Sequence, residues 1–120
     1  MLKFIVKASD LLEAFKELGI TNNKTISLIF TDCEFFLYRS DVISSIRKAA
    51  VFSPNEYHEI ILTNEKLNIL TNLLKLIDLD YLIVFRFDNS DKQLEISVKR
   101  GKLEKEIEKA NEYFRELAKN

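Results

Sequence analysis

The sequence is poor in the residues that form disulfides, bind metals and break secondary structure. Its 120 residues include no Trp, one Cys, one Pro, one His and two Gly. A single cysteine, Cys33, excludes an internal disulfide, and a chain of this length buries enough surface to fold without one. The same cysteine usage predicts a cytoplasmic protein. His58 has no second His and no Cys near it in the sequence, so neither a metal site nor a cofactor is predicted.

An excess of charge of either sign is also missing. The chain has 18 Lys and Arg against 19 Asp and Glu, which gives a formal net charge of -1. Residues 1–60 carry 7 basic and 8 acidic side chains, 61–101 carry 6 and 6, and 102–120 carry 5 and 5. This mixing argues against an avid nucleic-acid binder, because such proteins hold the backbone by neutralising phosphates.

Long apolar runs and catalytic signatures are absent from the sequence as well. The longest apolar-rich stretch, residues 67–84, is interrupted by Asn, Lys and Asp, so no membrane span is predicted. The carboxylates of Asp32, Glu34 and Asp41 have no companion lysine or base at a recognisable spacing. We therefore expect a single globular unit that is not an enzyme.

The first half of the chain predicts a strand, a helix and a meander of strands. The short apolar run 2–7 is followed by Ser9, a helix N-cap residue, and by Gly19, a helix stop, which enclose an amphipathic pattern. Residues 42–52 are rich in β-branched and aromatic side chains and predict one continuous strand, with or without a bulge. The predicted strands of this half are 2–7, 25–31, 34–39 and 42–52.

The second half repeats this plan after a break at Pro54. A strand at 57–62 is followed by Thr63 or Asn64 as helix cap and by an apolar helical periodicity that ends at Asp78. Two further strands, 80–87 and 93–99, come next. The chain thus reads βαβββ followed by βαββ, an α+β fold with antiparallel sheets and two helices on one face.

The final segment, residues 102–120, departs from the repeat. It consists largely of helix formers, and its apolar residues recur at spacings of 4, 3, 4 and 3, which predicts a charged amphipathic helix. A strand over 102–108 is the alternative, because Leu103 and Ile107 would also lie on the same face of a strand. The apolar stripe is expected to pack on its own domain, on a second copy or in a partner's groove. The candidate contact residues are Leu103, Ile107, Ala110, Tyr113, Phe114 and Leu117.

This order of elements resembles one domain of the DNA sliding clamps, the PCNA family. The opening MLKFIVKASDLLEAFKEL resembles the strand-then-helix start of archaeal and eukaryotic members, and ISLIFTDCEFFLYRSDVI resembles the segment in which a strand ends in F-T-[DE]-x-G. VFSPNEYHEIIL, TNEKLNILTNLLKLIDLDYLIVFRF and LEISVKRG resemble the link, the second helix and a later strand. The resemblance covers residues 1–101, as two repeats, 1–54 and 55–101.

The chain departs from the family pattern in three places. Cys33 and Glu34 stand where the family usually has glycine, and the tripeptide that often follows the family's aspartate is missing after Asp41. Where clamps have a last strand and a connector into a second domain, this chain has the helix 102–120. The family's client pocket near that connector is therefore not carried over.

The resemblance implies a non-catalytic protein of DNA replication or repair, acting as a DNA-encircling homo-oligomeric ring or as a scaffold. The alternative is a small interaction protein that binds or blocks a full-length clamp, or another replication protein, without contacting DNA. The implied partners are double-stranded DNA, held weakly, and replication proteins or further copies of the chain, held through sheet edges or the C-terminal helix.

In the clamp interpretation, DNA meets the polar faces of the two helices. The residues expected to face DNA are Lys7, Lys16, Asn68, Asn72 and Lys75. A separate basic cluster of Lys99, Arg100 and Lys102 at the end of a strand is expected either to contact phosphate or an acidic partner or to be a solvated turn. Because Asp10, Glu13 and Glu17 share the outer face of the first helix, a solvated face without a ligand remains the alternative for the helix residues as well.

Overall fold

The computed structural model describes residues 2–18, 26–31, 35–39, 42–46, 49–52, 57–88 and 93–119, which form an α+β fold with antiparallel sheets. The predicted turns around Gly19, Asn22, Cys33, Asp41, Pro54 and Asn89 lie outside these residues. In chain order the elements are β1 (Leu2–Lys7), α1 (Ala8–Leu18), β2 (Ile26–Thr31), β3 (Phe35–Arg39), β4 (Val42–Ile46), β5 (Ala49–Phe52), β6 (Tyr57–Leu62), α2 (Asn64–Leu76), β7 (Leu82–Asp88), β8 (Gln93–Lys99) and α3 (Leu103–Ala118).

The described strands form two four-stranded sheets. The first sheet has the order β5-β1-β7-β8 and the second has the order β4-β3-β2-β6, with antiparallel pairing between all neighbours. β1 pairs with β7, and β6 pairs with β2. The strand before each of the helices α1 and α2 therefore pairs with the strand that follows the other helix, so the two halves of the chain are interleaved.

The prediction of one continuous strand over 42–52 is wrong. β4 pairs with β3 in the second sheet, whereas β5 pairs with β1 in the first sheet. Ala50 and Val51 are both buried, because β5 is covered on its two faces. The strand-forming composition of this stretch does not reveal the point at which the chain passes from one sheet to the other.

The main core lies on one face of the first sheet and is completed by α1, α2 and the second sheet. In β1, Phe4 and Val6 belong to this core, while Ile5 between them belongs to a smaller cluster on the opposite face. Each fully buried aliphatic or aromatic side chain of this kind contributes about 1.5–3 kcal/mol relative to exposure. The helix residues in the main core are Ala8, Leu11, Ala14, Phe15, Leu67, Leu70 and Leu74.

The helices α1 and α2 begin in different ways. Of the two predicted caps, Thr63 and not Asn64 is the N-cap of α2, and its hydroxyl accepts a hydrogen bond from the Lys66 N–H at 3.3 Å. α1 starts at Ala8, directly after β1, so Ser9 lies inside the helix rather than capping it. The amides of Ala8 and Ser9 donate instead to the carbonyls of Tyr81 and Leu79, at 2.9 and 3.1 Å. The loop after α2 therefore supplies the acceptors that the start of α1 needs.

The predicted C-terminal helix is confirmed as α3. Gly101 precedes it with φ of +148°, a backbone conformation that side-chain-bearing residues rarely adopt, and so permits the chain to reverse from β8. α3 packs mainly against β5 and also against β1, on the side of the first sheet away from the main core. We call this side the α3 face. Its small apolar cluster contains Ile5, Ala50, Leu82, Val84, Leu103 and Ala110.

Candidate functional site

The residues predicted to face DNA are accessible in the structure. Lys16 is exposed on α1, and Asn68, Asn72 and Lys75 are exposed on α2, while Lys7 at the end of β1 is half-buried. The loop that follows α2 is hydrogen-bonded to the start of α1, so the C-terminal end of α2 lies near the N-terminal end of α1. The structure thus exposes the four helix side chains on helices whose opposite sides share one core. The prediction that Lys7 joins them is wrong: Lys7 follows Val6 of the main core and is paired with Leu82, so it lies on the α3 face.

The outer sides of these two helices do not form a basic surface. Glu13 and Glu17 are exposed beside Lys16 on α1. On α2 the polar residues alternate with large apolar ones: Ile69 is 47% exposed and Leu76 is 84% exposed. Leu79 in the following turn is exposed as well. We call Ile69, Leu76 and Leu79 the α2 patch; it is an apolar interruption of the surface that the resemblance assigns to DNA.

The predicted basic cluster is divided among separate interactions. The Lys99 ammonium lies 2.6 Å from Oε1 of Glu106. The guanidinium of Arg100 donates to the Tyr81 hydroxyl at 2.9 Å and lies over that ring. Lys102 is exposed at the N-cap position of α3. Lys99 and Arg100 therefore have different partners, and the three cations are not gathered around one ligand position.

The apolar stripe of α3 is largely occupied within the chain. Leu103 and Ala110 are buried against the first sheet, and Ile107 packs beside them. Tyr113 meets the ring of Phe52 on β5, with the ring centroids 6.0 Å apart. The remaining two candidates differ: Phe114 is half-buried next to Tyr113, at 5.9 Å between centroids, and Leu117 is exposed. Contact with a second copy or a partner stays a prediction, and Phe114 and Leu117 are the candidates that remain accessible for it.

Glu106 is a buried acidic residue that the sequence patterns did not single out. Its side chain is only 4% exposed, and its Oε1 is held by Lys99 at 2.6 Å and by Lys109 at 3.6 Å. Its Oε2 is buried without a hydrogen-bond partner in the described part of the chain. Burial favours the neutral acid, but the hydrogen bond and charge of Lys99, with the charges of Lys109 and Lys3, outweigh it and lower the pKa of Glu106.

Cations gather around Glu106 on the α3 face. Lys3 on β1 is paired directly with Arg86 on β7, so two like charges stand opposite each other on neighbouring strands. The Lys3 ammonium lies over the Phe52 ring, 4.6 Å from its centroid. Burial lowers the pKa of Lys3, and the charges of Lys99, Arg86 and Lys109 lower it further, against the opposing effect of Glu106. The five charged groups of the sheet and the helix therefore interact electrostatically; they are Lys3, Arg86, Lys99, Lys109 and Glu106.

The sequence reasoning missed this cluster, although a signal for it is present. Lys3 and Arg86 each stand between two apolar residues of a strand, and each lies two residues from a buried residue of the α3 face, Ile5 or Val84. A charged residue that shares a face with buried residues of the same strand indicates that the apolar cover of that face ends there.

Neither a metal centre nor a membrane helix is visible in the part of the chain that the structure describes. There, no three His, Cys, Asp or Glu side chains are grouped so as to hold a metal ion. The described helices also include none that is both long and apolar enough to cross a membrane.

Comparison with known proteins adds no assignment. No family model, no curated protein and no solved structure matches this chain.

Proposed function

We propose that this protein is a clamp-like, non-catalytic scaffold of DNA replication or repair that works by contacting other proteins. The proposal is supported by the order of its elements. Up to β8 the chain runs strand, helix and strands, and then strand, helix and strands again, which is the order on which the resemblance to a clamp domain is based. The interleaved pairing of β1 with β7 and of β6 with β2 makes the two repeats one folding unit.

The α2 patch favours a protein partner over DNA at the helices. Phosphate backbones are held by cations, whereas exposed Ile and Leu side chains gain free energy from burial against another apolar surface. Beside Lys75, the outer side of α2 presents Asn68 and Asn72 and the apolar Ile69 and Leu76. Lys16 on α1 is accompanied by two exposed carboxylates. This surface is better suited to a mixed apolar and polar protein interface than to the lining of a DNA channel.

The second candidate function is the DNA-encircling ring. Its support is the accessibility of Lys16, Asn68, Asn72 and Lys75, since weak and mobile phosphate contacts are sufficient for a protein retained by topology. Size-exclusion chromatography with light scattering separates the two candidates. A scaffold is expected to elute as a monomer or dimer at micromolar concentration, and a ring as a larger closed assembly.

A scaffold that binds a full-length sliding clamp, as in the alternative interpretation of the resemblance, is tested by equilibrium binding to the purified clamp from the same cells. We expect binding that is weakened by introducing charge into the α2 patch, with Ile69→Glu and Leu76→Glu, because both side chains would be buried at the interface. Asn111→Glu, at an exposed position on α3 outside the candidate contact residues, is the control for the added charge and is expected to leave the affinity unchanged. Absence of binding to the clamp, or equal weakening by the patch and control variants, would contradict a scaffold that acts on clamps.

DNA contact is tested with the same protein. The ring predicts weak, salt-sensitive binding of double-stranded DNA that Lys16→Glu with Lys75→Glu abolishes. If the protein is a scaffold, these two substitutions are expected to leave its affinity for DNA unchanged. Binding of DNA that disappears in the double variant would favour the ring over the scaffold.

A further inference from the structure

We propose that the α3 face of the first sheet binds a phosphate group, held by Lys3, Arg86, Lys99 and Lys109 beside α3. We call this set the sheet cations. They come from three strands and one helix and are distant from one another in the sequence, so only the fold brings them together. The proposal is independent of the scaffold function, which is assigned to the outer side of α2.

The strand register places the first two sheet cations side by side. Across the four strands of the first sheet one row reads Phe52, Lys3, Arg86 and Glu95. Residues that face each other in an antiparallel sheet project to the same side, so Lys3 and Arg86 both lie on the α3 face. A like-charged pair in this arrangement destabilises the sheet, and an anion between the two charges removes that cost.

Position on the sheet makes the site accessible. α3 packs against β5 and β1, which leaves the β7 and β8 side of this face less covered. Arg86 and Ser97 on that side are half-buried, and Glu95 is exposed. Lys99 is 41% exposed and Lys109 is 62% exposed, although both contact Glu106. A small anion can therefore approach this side of the α3 face from solvent without displacing α3.

The charge of the cluster matches phosphate. Four cations stand against two carboxylates, Glu106 and Glu95, which leaves an excess of two positive charges. A phosphate monoester carries about -1.5 to -2 charges near neutral pH and has oxygens enough to accept from several donors. In the described residues, the ion pairs of Lys99 and Lys109 both run to Oε1 of Glu106, and Lys3 and Arg86 form none. The Arg86 guanidinium is the group best shaped to hold two phosphate oxygens at once.

The electrostatics of Lys3 agree with this geometry. Its pKa is lowered by burial and by the neighbouring cations, which means that its protonated form is held at a cost in the unliganded protein. A bound phosphate would reverse the sign of the local field. The pKa of Lys3 is therefore expected to rise when the site is filled, which gives a readout that a change in folding alone does not produce.

The experiment is a titration of the ¹⁵N-labelled protein with inorganic phosphate, followed by amide chemical shifts at constant ionic strength and pH. We expect saturable shifts at residues 3, 86, 97, 99 and 109 and none at residues 16 and 75. In Lys3→Gln with Arg86→Gln the affinity is expected to fall at least about tenfold, because two charge-assisted hydrogen bonds are lost. The matched control, Lys66→Gln with Lys119→Gln, changes the net charge equally at residues outside every candidate site and is expected to bind phosphate like the wild type.

A second variant protects the test against misfolding. If the Lys3 and Arg86 variant is not folded, Arg86→Gln with Lys109→Gln replaces it, since Arg86 is half-buried and Lys109 is exposed. Shifts that do not saturate, shifts scattered over the surface, or equal weakening in the sheet and helix variants would overturn the proposal.

A competition experiment distinguishes the two possible sources of the phosphate group, a nucleic acid and a small phosphorylated molecule. A single-stranded oligonucleotide of about 10 nucleotides displaces inorganic phosphate from these amides if the natural ligand is nucleic acid. In that case the salt dependence of its binding decreases in the Lys3 and Arg86 variant and not in the helix control. If phosphate binds and the oligonucleotide does not displace it, the ligand is a small phosphorylated molecule.

Discussion

The two faces of the first sheet are covered by helices in different ways. Toward the main core, Phe4, Val6, Ile83 and Phe85 meet apolar residues from α1 and α2, which are tied into the same unit by the interleaved strands. On the α3 face the apolar cluster is smaller and is bordered by the sheet cations and Glu106. The difference is that one face of the sheet is covered by apolar residues, while the other combines apolar burial with charged groups.

The largest effect is expected from truncation in the main core. Phe4→Ala removes a side chain that is fully buried between the sheet and the helices, and is expected to lower the free energy of unfolding by about 3–5 kcal/mol. Denaturant unfolding followed by circular dichroism measures the change. Leu117→Ala is the control and is expected to cost less than about 0.5 kcal/mol, because Leu117 is exposed. Similar losses for the two variants would contradict the assignment of the main core.

A smaller effect is expected on the α3 face. Lys99→Ala leaves the buried Glu106 carboxylate with only the longer contact to Lys109, and is expected to lower the free energy of unfolding by about 1–3 kcal/mol. Glu106→Leu is expected to lie within about 1 kcal/mol of the wild type, since Lys99 retains access to water and the new side chain is apolar. Denaturant unfolding of both variants measures this asymmetry, and a costlier Glu106→Leu would show that the pair contributes more than its burial costs.

Acid is expected to loosen the α3 face before the main core. The pKa of Glu106 is lower in the folded protein than its ordinary value of 4.5, so its contribution to stability is present above that value and is lost as the pH falls through the folded pKa. We expect the packing of Tyr113 on Phe52 to weaken below about pH 4.5. Tyrosine side-chain NMR across an acid titration follows it. In Glu106→Leu this acid-dependent step should disappear, and its persistence would assign the step to other carboxylates.

The smallest effect concerns the start of α3. Thr63 caps α2 with its hydroxyl, whereas Lys102 at the same position of α3 makes no side-chain capping hydrogen bond. Lys102→Ser is expected to stabilise the protein by about 0.5–1 kcal/mol, by supplying the missing acceptor and removing a cation from the positive end of the helix. Thermal unfolding detects the gain, with Lys102→Gln as the control for loss of charge alone.

The sequence predicts the local elements well, because their signals are local. The bounds of β1 and β8, the cap at Thr63 and the helical periodicity of residues 103–118 all depend on residues within one element. The continuous strand over 42–52 is wrong because a change of sheet depends on which strands β4 and β5 meet far along the chain. Sheet order and the interleaved pairing could not be predicted either, because they too depend on contacts between residues far apart in the sequence.

The charged cluster was missed for a related reason. Glu106 lies in a helix full of exposed carboxylates, and only its proximity to the apolar stripe and to Lys99 on β8 distinguishes it. Lys3 and Arg86 lie 83 residues apart and are neighbours solely through the pairing of β1 with β7. The candidate residues on α1 and α2 were accessible as expected, because the outer side of an amphipathic helix follows from its periodicity.

We expect α3 to be a separately held layer whose docking weakens when Glu106 is protonated, over a sheet that the main core holds independently. Native-state hydrogen exchange measures this directly. We expect amides in the middle of α3, such as that of Ala110, to exchange through a local opening at lower free energy than those of Phe4 and Phe85. We expect this difference in opening free energy to widen below about pH 4.5. Equal opening free energies for α3 and the strands, with no dependence of their difference on pH, would contradict it.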